Sequence, residues 1–423
     1  DTLAGTSLIF DQTLWSRISV GIILLFFGGG QVFSMLCREK PAFNFVLSQL
    51  IAVFLAASLL SSDSLFLCPI FFAFFFILVS SVPLNFHLEV GRGSLKRGII
   101  YGTTLLFLFV GVVSTLNLHI GSMEASMLVN AVNAEAHNMR AIFFTVGVFA
   151  FLTLLFLPPV DLFEGAYEKA NSWLAYYFFR LSAPLIGVLL VIKWSFVGER
   201  ALMEEATSVP VEVGLGFTSA LLGIAFVVGY WIVFTGLMGT KLRTVITSML
   251  YVPLVMATCG MAQVTFDAVV WSVLAFVTYI LAALFLIGHF HLAQVPLSTK
   301  AKDLKYISFS IFPKRHVLFV VLLLLSPLGN QIYFAIMEKV ALAWQDKGFA
   351  SVQFIMFLVL MGALATILFS HAKNLFSVLV PDGSGRISLA LRAWHYILLI
   401  PLIILGIHPG PLYKYIKLMV SYL

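Results

Sequence analysis

The chain has 423 residues, of which 61% are apolar and only 10% are charged. Soluble domains are about 45–50% apolar and about 25% charged, so water could not cover this much apolar surface. The composition therefore excludes a soluble enzyme, a secreted disulfide scaffold and a disordered protein, and it predicts a polytopic membrane protein. The net charge of +6 is spread over short loops, with no basic stripe for a nucleic-acid partner.

Runs of about 20 apolar residues predict the membrane-spanning helices. About twelve such runs occur, near 16–36, 43–61, 64–86, 97–117, 141–158, 172–194, 213–238, 245–263, 267–288, 316–344, 352–371 and 388–408. The runs are continuous rather than alternating, which excludes the strands of an outer-membrane barrel. The predicted fold class is an all-α polytopic membrane protein built from repeated bundles.

Three connections are longer and more polar than the others. Residues 118–140 predict an interfacial helix, and residues 195–212 predict a solvated acidic loop. Residues 293–315 contain a basic cluster, which suits the inner, negatively charged side of a membrane.

Two of the predicted spans are interrupted. Pro158 and Pro159 interrupt the first, near 149–165, and Pro327 and Gly329 interrupt the second, near 317–345. Proline removes a backbone donor, so each site predicts a kink or an unwound turn. Such turns are tolerated at membrane depth only where they face protein or a hydrated cavity. The pair favours ion paths of the transporter type, although proline kinks also occur without one.

Asp161 and Glu164 follow the first interruption, where their carboxylates are expected to satisfy freed backbone donors or to cap the next helix. The predicted organisation has four parts. These are an N-terminal segment with the first span (1–42), a first bundle (43–200), a second bundle (201–380) and a C-terminal span and tail (381–423).

Five stretches, in chain order, resemble motifs of one family. They are GSLKRGIIYGTTLLF at 93–107, PVDLFEGAYEK at 159–169, TKLRTVITSML at 240–250, LLLSPLGNQIYFAIMEK at 323–339 and LGIHPGPLYKYI at 405–416. The family is that of the antiporter-like membrane subunits of respiratory complex I, specifically chain 2. The resemblance covers roughly residues 43–423, in a divergent form with about two spans fewer at the N-terminus than the family usually has.

The resemblance implies a proton path of one buried glutamate and three lysines. No acid occurs in the helix that should carry the glutamate, where Cys68 and Pro69 stand instead, and Phe149 occupies the place of the first lysine. Arg180 falls where the next lysine is expected, but arginine effectively never releases its proton. The resemblance therefore implies a degenerate path.

The remaining proton-path candidates lie in the second half of the chain. Lys339 stands beside Glu338, one helical turn after the family's lysine position, and its role could be functional or that of an interfacial pair. His371 and His395 fall within or beside spans and are the two histidines that we select as relay candidates.

For the other ionisable residues considered, the sequence predicts a structural role or no specific role. Lys241 and Arg243 form the basic start of a helix, expected at the surface or at a subunit contact. His289 and His291, two residues apart, have poor metal geometry. We expect no metal and no cofactor, because no nucleotide, haem or CxxC motif occurs.

The resemblance implies a membrane-arm subunit of the proton-translocating NADH:ubiquinone oxidoreductase that is not itself the redox catalyst. Its expected partners are other membrane-arm subunits and lipids, without nucleic acid or any small-molecule substrate other than protons and water. The alternatives are a subunit of a sodium/proton antiporter or of a membrane-bound hydrogenase, a stand-alone transporter, and an assembly protein. The start at Asp1 and the shortened N-terminus favour the mitochondrial inner membrane over a bacterial plasma membrane as the expected location.

Overall fold

The computed structural model describes residues 14–36, 43–62, 67–85, 88–120, 172–194, 215–263, 265–306, 315–345, 350–376 and 389–422. Within these ranges the chain is almost wholly helical, and an isolated β-bridge joins Lys241 and Lys300. The predicted all-α polytopic fold is confirmed.

The described helices are numbered in chain order. They are α1 (Leu14–Leu36), α2 (Phe43–Ser61), α3 (Leu67–Ser81), α4 (Leu88–Ile120), α5 (Trp173–Ala175), a π-helix π1 (Tyr176–Leu181), α6 (Ser182–Trp194), α7 (Leu215–Met238), α8 (Leu242–Met261), α9 (Phe266–Leu292), α10 (Arg315–Leu325), α11 (Gln331–Gln345), α12 (Ala350–Phe376), α13 (Leu389–Ile407) and α14 (Gly410–Tyr422). Short 3₁₀ helices cover Val82–Asn85 and Ala301–Tyr306.

Eleven of the twelve predicted spans coincide with helices. Eight helices in the described residues have the length and apolar composition needed to cross a membrane. Of the other predicted spans, 64–86 contains α3, 97–117 lies in α4, and 316–344 corresponds to α10 and α11. The predicted span at 141–158 lies outside the described residues.

The chain divides into two compact units. The described part of the first comprises α1 as far as Gly28, α2 to α4, π1 from Phe178, α6, and α7 as far as Leu221. In this unit α3 packs along both α2 and α4. One face of α2 is exposed and apolar, with Leu47, Leu50 and Phe54 at helical spacing, as expected for a surface that lipid covers.

The second unit is built around the hairpin of α8 and α9. Both helices are apolar on all sides and almost wholly buried, which is typical of the centre of a bundle. Helices α10 to α13 pack around this hairpin. On α7, Val227, Trp231 and Phe234 form an exposed apolar stripe directed away from it. The second unit has two ends: α8 begins and α9 ends at the basic end, and α9 begins at the Asp267 end.

The second predicted helix interruption is confirmed. α10 ends at Leu325, the turn Ser326–Asn330 follows, and α11 begins at Gln331. The buried Asn330 side chain donates to the Leu324 carbonyl (2.9 Å) and accepts from the Ile332 amide (2.9 Å). The turn therefore satisfies part of its own backbone without water. The first predicted interruption, with Pro158, Pro159, Asp161 and Glu164, lies outside the described residues.

The predicted span 172–194 is irregular where the sequence predicted a regular helix. Its turns at Tyr176–Leu181 are π-helical, with α-helical turns before and after them. A π-helical segment is unusual and occurs often at functional positions. Pro184 lies just beyond it, which removes one backbone donor from the helix that follows.

Candidate functional site

An ion cluster occupies the Asp267 end of the second unit. Asp267, in the first turn of α9, accepts hydrogen bonds from Lys417 (3.1 Å) and from Lys339 (3.5 Å). The Tyr413 hydroxyl also donates to this carboxylate. Helices α9, α11 and α14 thus converge on one acid, which lies where the helix dipole favours a negative charge.

Aromatic contacts fix the position of α14 in this cluster. Trp271 stacks on Tyr413 with ring centroids 4.5 Å apart, and the Lys417 ammonium lies 5.5 Å from the centre of the Phe266 ring. The charged side chains are only partly buried, with 34% of Asp267, 30% of Lys339 and 41% of Lys417 exposed. The cluster therefore borders solvent at a helix end rather than lying at mid-membrane.

Lys339 and Glu338, adjacent in the sequence, point to different surroundings. Glu338 is exposed, whereas Lys339 packs against α9 through Asp267. The ion-pair partner of Lys339 is therefore an acid on another helix. Asp267 was not selected from the sequence, although its signal is visible there: it is the only acid in the first turn of a 27-residue apolar helix.

His395 lies in a second polar site, near the basic end of the same unit. Its ring, on α13, lies 6.2 Å from the ring of His289 on α9, and both side chains are buried. The Nδ1 atom of His395 is 2.8 Å from the Leu391 carbonyl. His395 was predicted as a relay candidate from the sequence and His289 was not, because their proximity depends on how α13 packs against α9.

The two polar sites lie at opposite ends of α9. Twenty-two residues separate Asp267 from His289, which is about 33 Å of helix at a rise of about 1.5 Å per residue. Between them α9 carries no charged residue, and its buried Ser272 and Thr278 hydroxyls donate to backbone carbonyls. This helix therefore offers no chain of charged groups across the membrane.

His371, on α12, lies at the basic end of the second unit. Its Nε2–H donates to the Gly236 carbonyl on α7 (2.9 Å), since a carbonyl can only accept. The ring lines a cavity of about 350 Å³ at the basic end. Among the described residues, no hydrogen bond or ion pair joins Lys339, His371 and His395 to one another.

Two of the other cations selected from the sequence, Arg180 and Arg243, are buried. Arg180 lies within π1 and is 5% exposed. Arg243 was expected at the surface or at a subunit contact, but its side chain is fully buried, one residue after α8 begins. Lys241 is the N-cap of α8 and is partly exposed.

Lys193 is a buried cation that the sequence analysis missed. Its ammonium, at the end of α6, donates to the carbonyls of Leu60 (2.7 Å) and Ser62 (2.9 Å), where α2 ends. Leu60 is one of the last four residues of α2, whose carbonyls lack intrahelical partners, and its carbonyl also accepts from the Ser16 hydroxyl (3.1 Å). Lys193 thus acts as a C-terminal cap from another helix. In the described residues no group of three or more His, Cys, Asp and Glu side chains could hold a metal.

No protein-family model matches the sequence, and no curated protein is similar enough to match it. Solved structures, in contrast, resemble its fold over almost the whole chain. One is a chain of "Respiratory complex I from Thermus thermophilus with bound NADH", with 15% identity and a TM-score of 0.64, covering 100% of this chain and 87% of that one. Another complex I structure from the same organism, with bound aureothin, gives 14% identity and a TM-score of 0.68 over 97% and 87% of the two chains.

A chain of the Mrp complex from Dietzia sp. DQ12-45-1b is also similar, with 12% identity and a TM-score of 0.51. That match covers 99% of this chain, which spans about half (51%) of the Mrp chain. These identities are low, so the likeness concerns the fold. The chain shares its fold with these two chains of respiratory complex I structures, with a more distant likeness to a chain of the Mrp complex.

Proposed function

We propose that this chain is a membrane-arm subunit of a proton-translocating NADH:ubiquinone oxidoreductase, similar to chain 2, with NADH and quinone chemistry on other subunits. The observation that carries the proposal is the complex I fold over 97–100% of the chain. The interrupted α10–α11 pair and the five sequence motifs support it.

The experiment is a test of assembly. A tagged chain is extracted from its native membrane in mild detergent and separated on a native gel stained for NADH oxidation. We expect the chain to migrate with a very large NADH-oxidising assembly. A stable monomer or dimer without NADH oxidation would contradict the proposal and would favour a stand-alone transporter.

A second candidate is a subunit of an Mrp-type sodium/proton antiporter, which the likeness to the Mrp chain supports. The higher TM-scores of the complex I chains favour the first proposal. Assembly of the tagged chain with subunits that exchange sodium for protons, and not with NADH oxidation, would establish the second candidate.

We further propose that the chain's own proton path is degenerate and that it mainly braces the membrane arm. α3 contains no acid, Arg180 cannot release its proton, and Lys339 is paired at a helix end rather than at mid-membrane. The family's pattern can be restored with Cys68→Glu and Phe149→Lys in the assembled complex. We expect the restored chain to change the number of protons moved per NADH, and an unchanged number with intact pumping would contradict the importance of these losses.

We propose that the protein lies in an energy-transducing membrane, specifically the mitochondrial inner membrane. The bacterial origin of the similar complex I structures supports a bacterial plasma membrane as the alternative. Membrane fractionation with the tagged chain distinguishes them.

A further inference from the structure

The cavity beside His371 opens at the basic end of the second unit. Two backbone hydrogen bonds hold the segment after α9 against the start of α8: Leu242 N–H donates to Thr299 O, and Ala301 N–H donates to Thr240 O, both at 2.8 Å. The cavity has a volume of about 350 Å³. Its walls are Gly239, Thr240, Lys300, Ala301, Lys302 and His371.

The cavity has an excess of positive charge. Lys300 and Lys302 are exposed, and no carboxylate of the described residues forms an ion pair with either. Asp303, on the same 3₁₀ turn, is also outside ion-pair distance of both lysines. The bridge between Lys241 and Lys300 places a third cationic residue beside the cavity.

His371 adds a polar side chain to the lining of the cavity. Its Nε2–H is used by the Gly236 carbonyl, while Nδ1 is buried and has no hydrogen-bond partner among the described residues. In the neutral ring Nδ1 accepts a hydrogen bond, as from a hydroxyl, and in the protonated ring it donates, as to a phosphate oxygen. The cavity thus combines two ammonium groups with one adaptable imidazole.

Apolar surface adjoins the cavity. Met238, just before Gly239, is 69% exposed, and Phe369, two residues before His371, is 62% exposed. A small apolar crevice shares Ala301 and His371 with the cavity and is walled by Leu242, Phe290 and Leu322. The ligand that fits both surfaces has an anionic head and an apolar body.

We propose that this cavity binds the phosphate-bearing headgroup of an anionic phospholipid, whose acyl chains lie along the exposed ends of α7 and α12. Lys300 and Lys302 bind the phosphate, and His371 contacts the headgroup. Basic pockets between spanning helices are suited to such lipids. The proposal goes beyond the function proposed above and holds for either candidate assembly.

The test measures lipid binding by the full chain, purified in detergent and stripped of lipid, with native mass spectrometry. The probes are phosphatidylglycerol, phosphatidylcholine and inorganic phosphate. We expect tighter binding of phosphatidylglycerol than of phosphatidylcholine. The double variant Lys300→Gln/Lys302→Gln should weaken phosphatidylglycerol binding about thirtyfold (roughly 2 kcal/mol at about 1.4 kcal/mol per tenfold), because two ammonium contacts to the anionic lipid are lost.

The matched control is Arg392→Gln/Lys414→Gln, which removes the same charge from two exposed positions outside the cavity. We expect it to leave the affinity nearly unchanged. A second variant, Thr240→Phe, fills the cavity without changing its charge, and it should also weaken binding. It decides the matter if the lysine variant does not fold.

Three results would overturn the proposal. One is equal binding of the two phospholipids, and another is an equal loss of affinity in the control variant. The third is inorganic phosphate that binds as tightly as phosphatidylglycerol with the same dependence on Lys300 and Lys302, since this would assign the cavity to free phosphate.

Discussion

Three long-range polar contacts converge on Asp267 in the second unit. Its carboxylate receives two ammonium groups and a phenol from helices far away in the sequence. Because all three charged side chains are about one-third exposed, each ion pair is worth about 1 kcal/mol at most. The cluster fixes the orientation of α11 and α14 more than it adds to stability.

Asp267→Asn should lower the free energy of unfolding by about 1 kcal/mol, because the amide keeps an acceptor for Tyr413 but loses the charge that holds both lysines. The effect is measured by thermal unfolding of the purified protein in detergent. The loss of stability should be smaller in about 1 M salt, because the Debye length there is roughly 3 Å and exposed charges are screened.

Glu338→Gln is the matched control for this variant, because it removes an exposed acid beside Lys339 that belongs to no described ion pair. We expect almost no change in stability. An equal loss in both variants would mean that net charge, rather than the cluster, determines the effect.

Lys193 has a stronger structural role, because it is buried and its ammonium serves two carbonyls at once. Lys193→Met should lower the free energy of unfolding by about 3 kcal/mol, since both carbonyls lose a charge-assisted partner in a buried place. Lys96→Met, at an exposed position of α4, is the comparison in the same unfolding assay. Similar losses for the two variants would refute the capping role.

At the scale of the elements, the turn between α10 and α11 depends on Gly329. A Cβ atom there would overlap the Leu323 carbonyl, whereas a Cβ at Gly362 in α12 would meet no atom within 4 Å. The Leu323 backbone has less freedom to move than a side chain, so position 329 does not tolerate a methyl group. The second position has room for one.

Gly329→Ala should therefore lower the free energy of unfolding by about 2 kcal/mol, the usual cost of overpacking. Gly362→Ala should raise it by about 0.5–1 kcal/mol, because alanine favours the helix over glycine. Unfolding of both variants in detergent checks the pair. A stabilising Gly329→Ala would show that the turn is not tightly closed.

The π-helical turns around Arg180 are an element that periodicity could not predict. Apolar residues at helical spacing indicate a helix, but they do not distinguish a wide turn from a regular one. The deep position of Arg180 follows from the sequence alone, because a residue in the middle of a membrane-spanning apolar run lies far from both ends of the helix. Its π-helical backbone depends on how π1 packs.

At the scale of the whole molecule, the ionisable groups of the second unit are separated rather than continuous. The Asp267 cluster and the His289–His395 pair lie at opposite ends of α9 without a charged residue of that helix between them. If the chain belongs to the NADH-oxidising assembly proposed above, Lys339→Gln should therefore leave the number of protons moved per NADH unchanged. A loss of proton transfer with intact NADH oxidation would assign Lys339 to a working path.

The prediction of spans succeeded because a 20-residue apolar run satisfies its backbone internally only as a helix. The interruption at Pro327 and Gly329 was predictable for a related reason, since proline and glycine are local features of the chain. The ion-pair partner of Lys339 and the burial of Arg243 were not predictable from the sequence, because both depend on which helices pack against each other. His371 was selected as a relay residue, and that role stays a prediction, although the structure places it at a basic cavity.

The sequence by itself determined that this is an all-α polytopic membrane protein with an interrupted helix near Pro327, because these properties follow from local composition. Only the tertiary structure decided that Lys339 meets Asp267, that His395 meets His289, and that Lys193 caps α2. These contacts join residues that are 72 to 133 positions apart in the sequence, and no local pattern encodes them. These contacts form only when the apolar helices pack together, because the packing determines which polar side chains meet in the few regions that lipid does not cover.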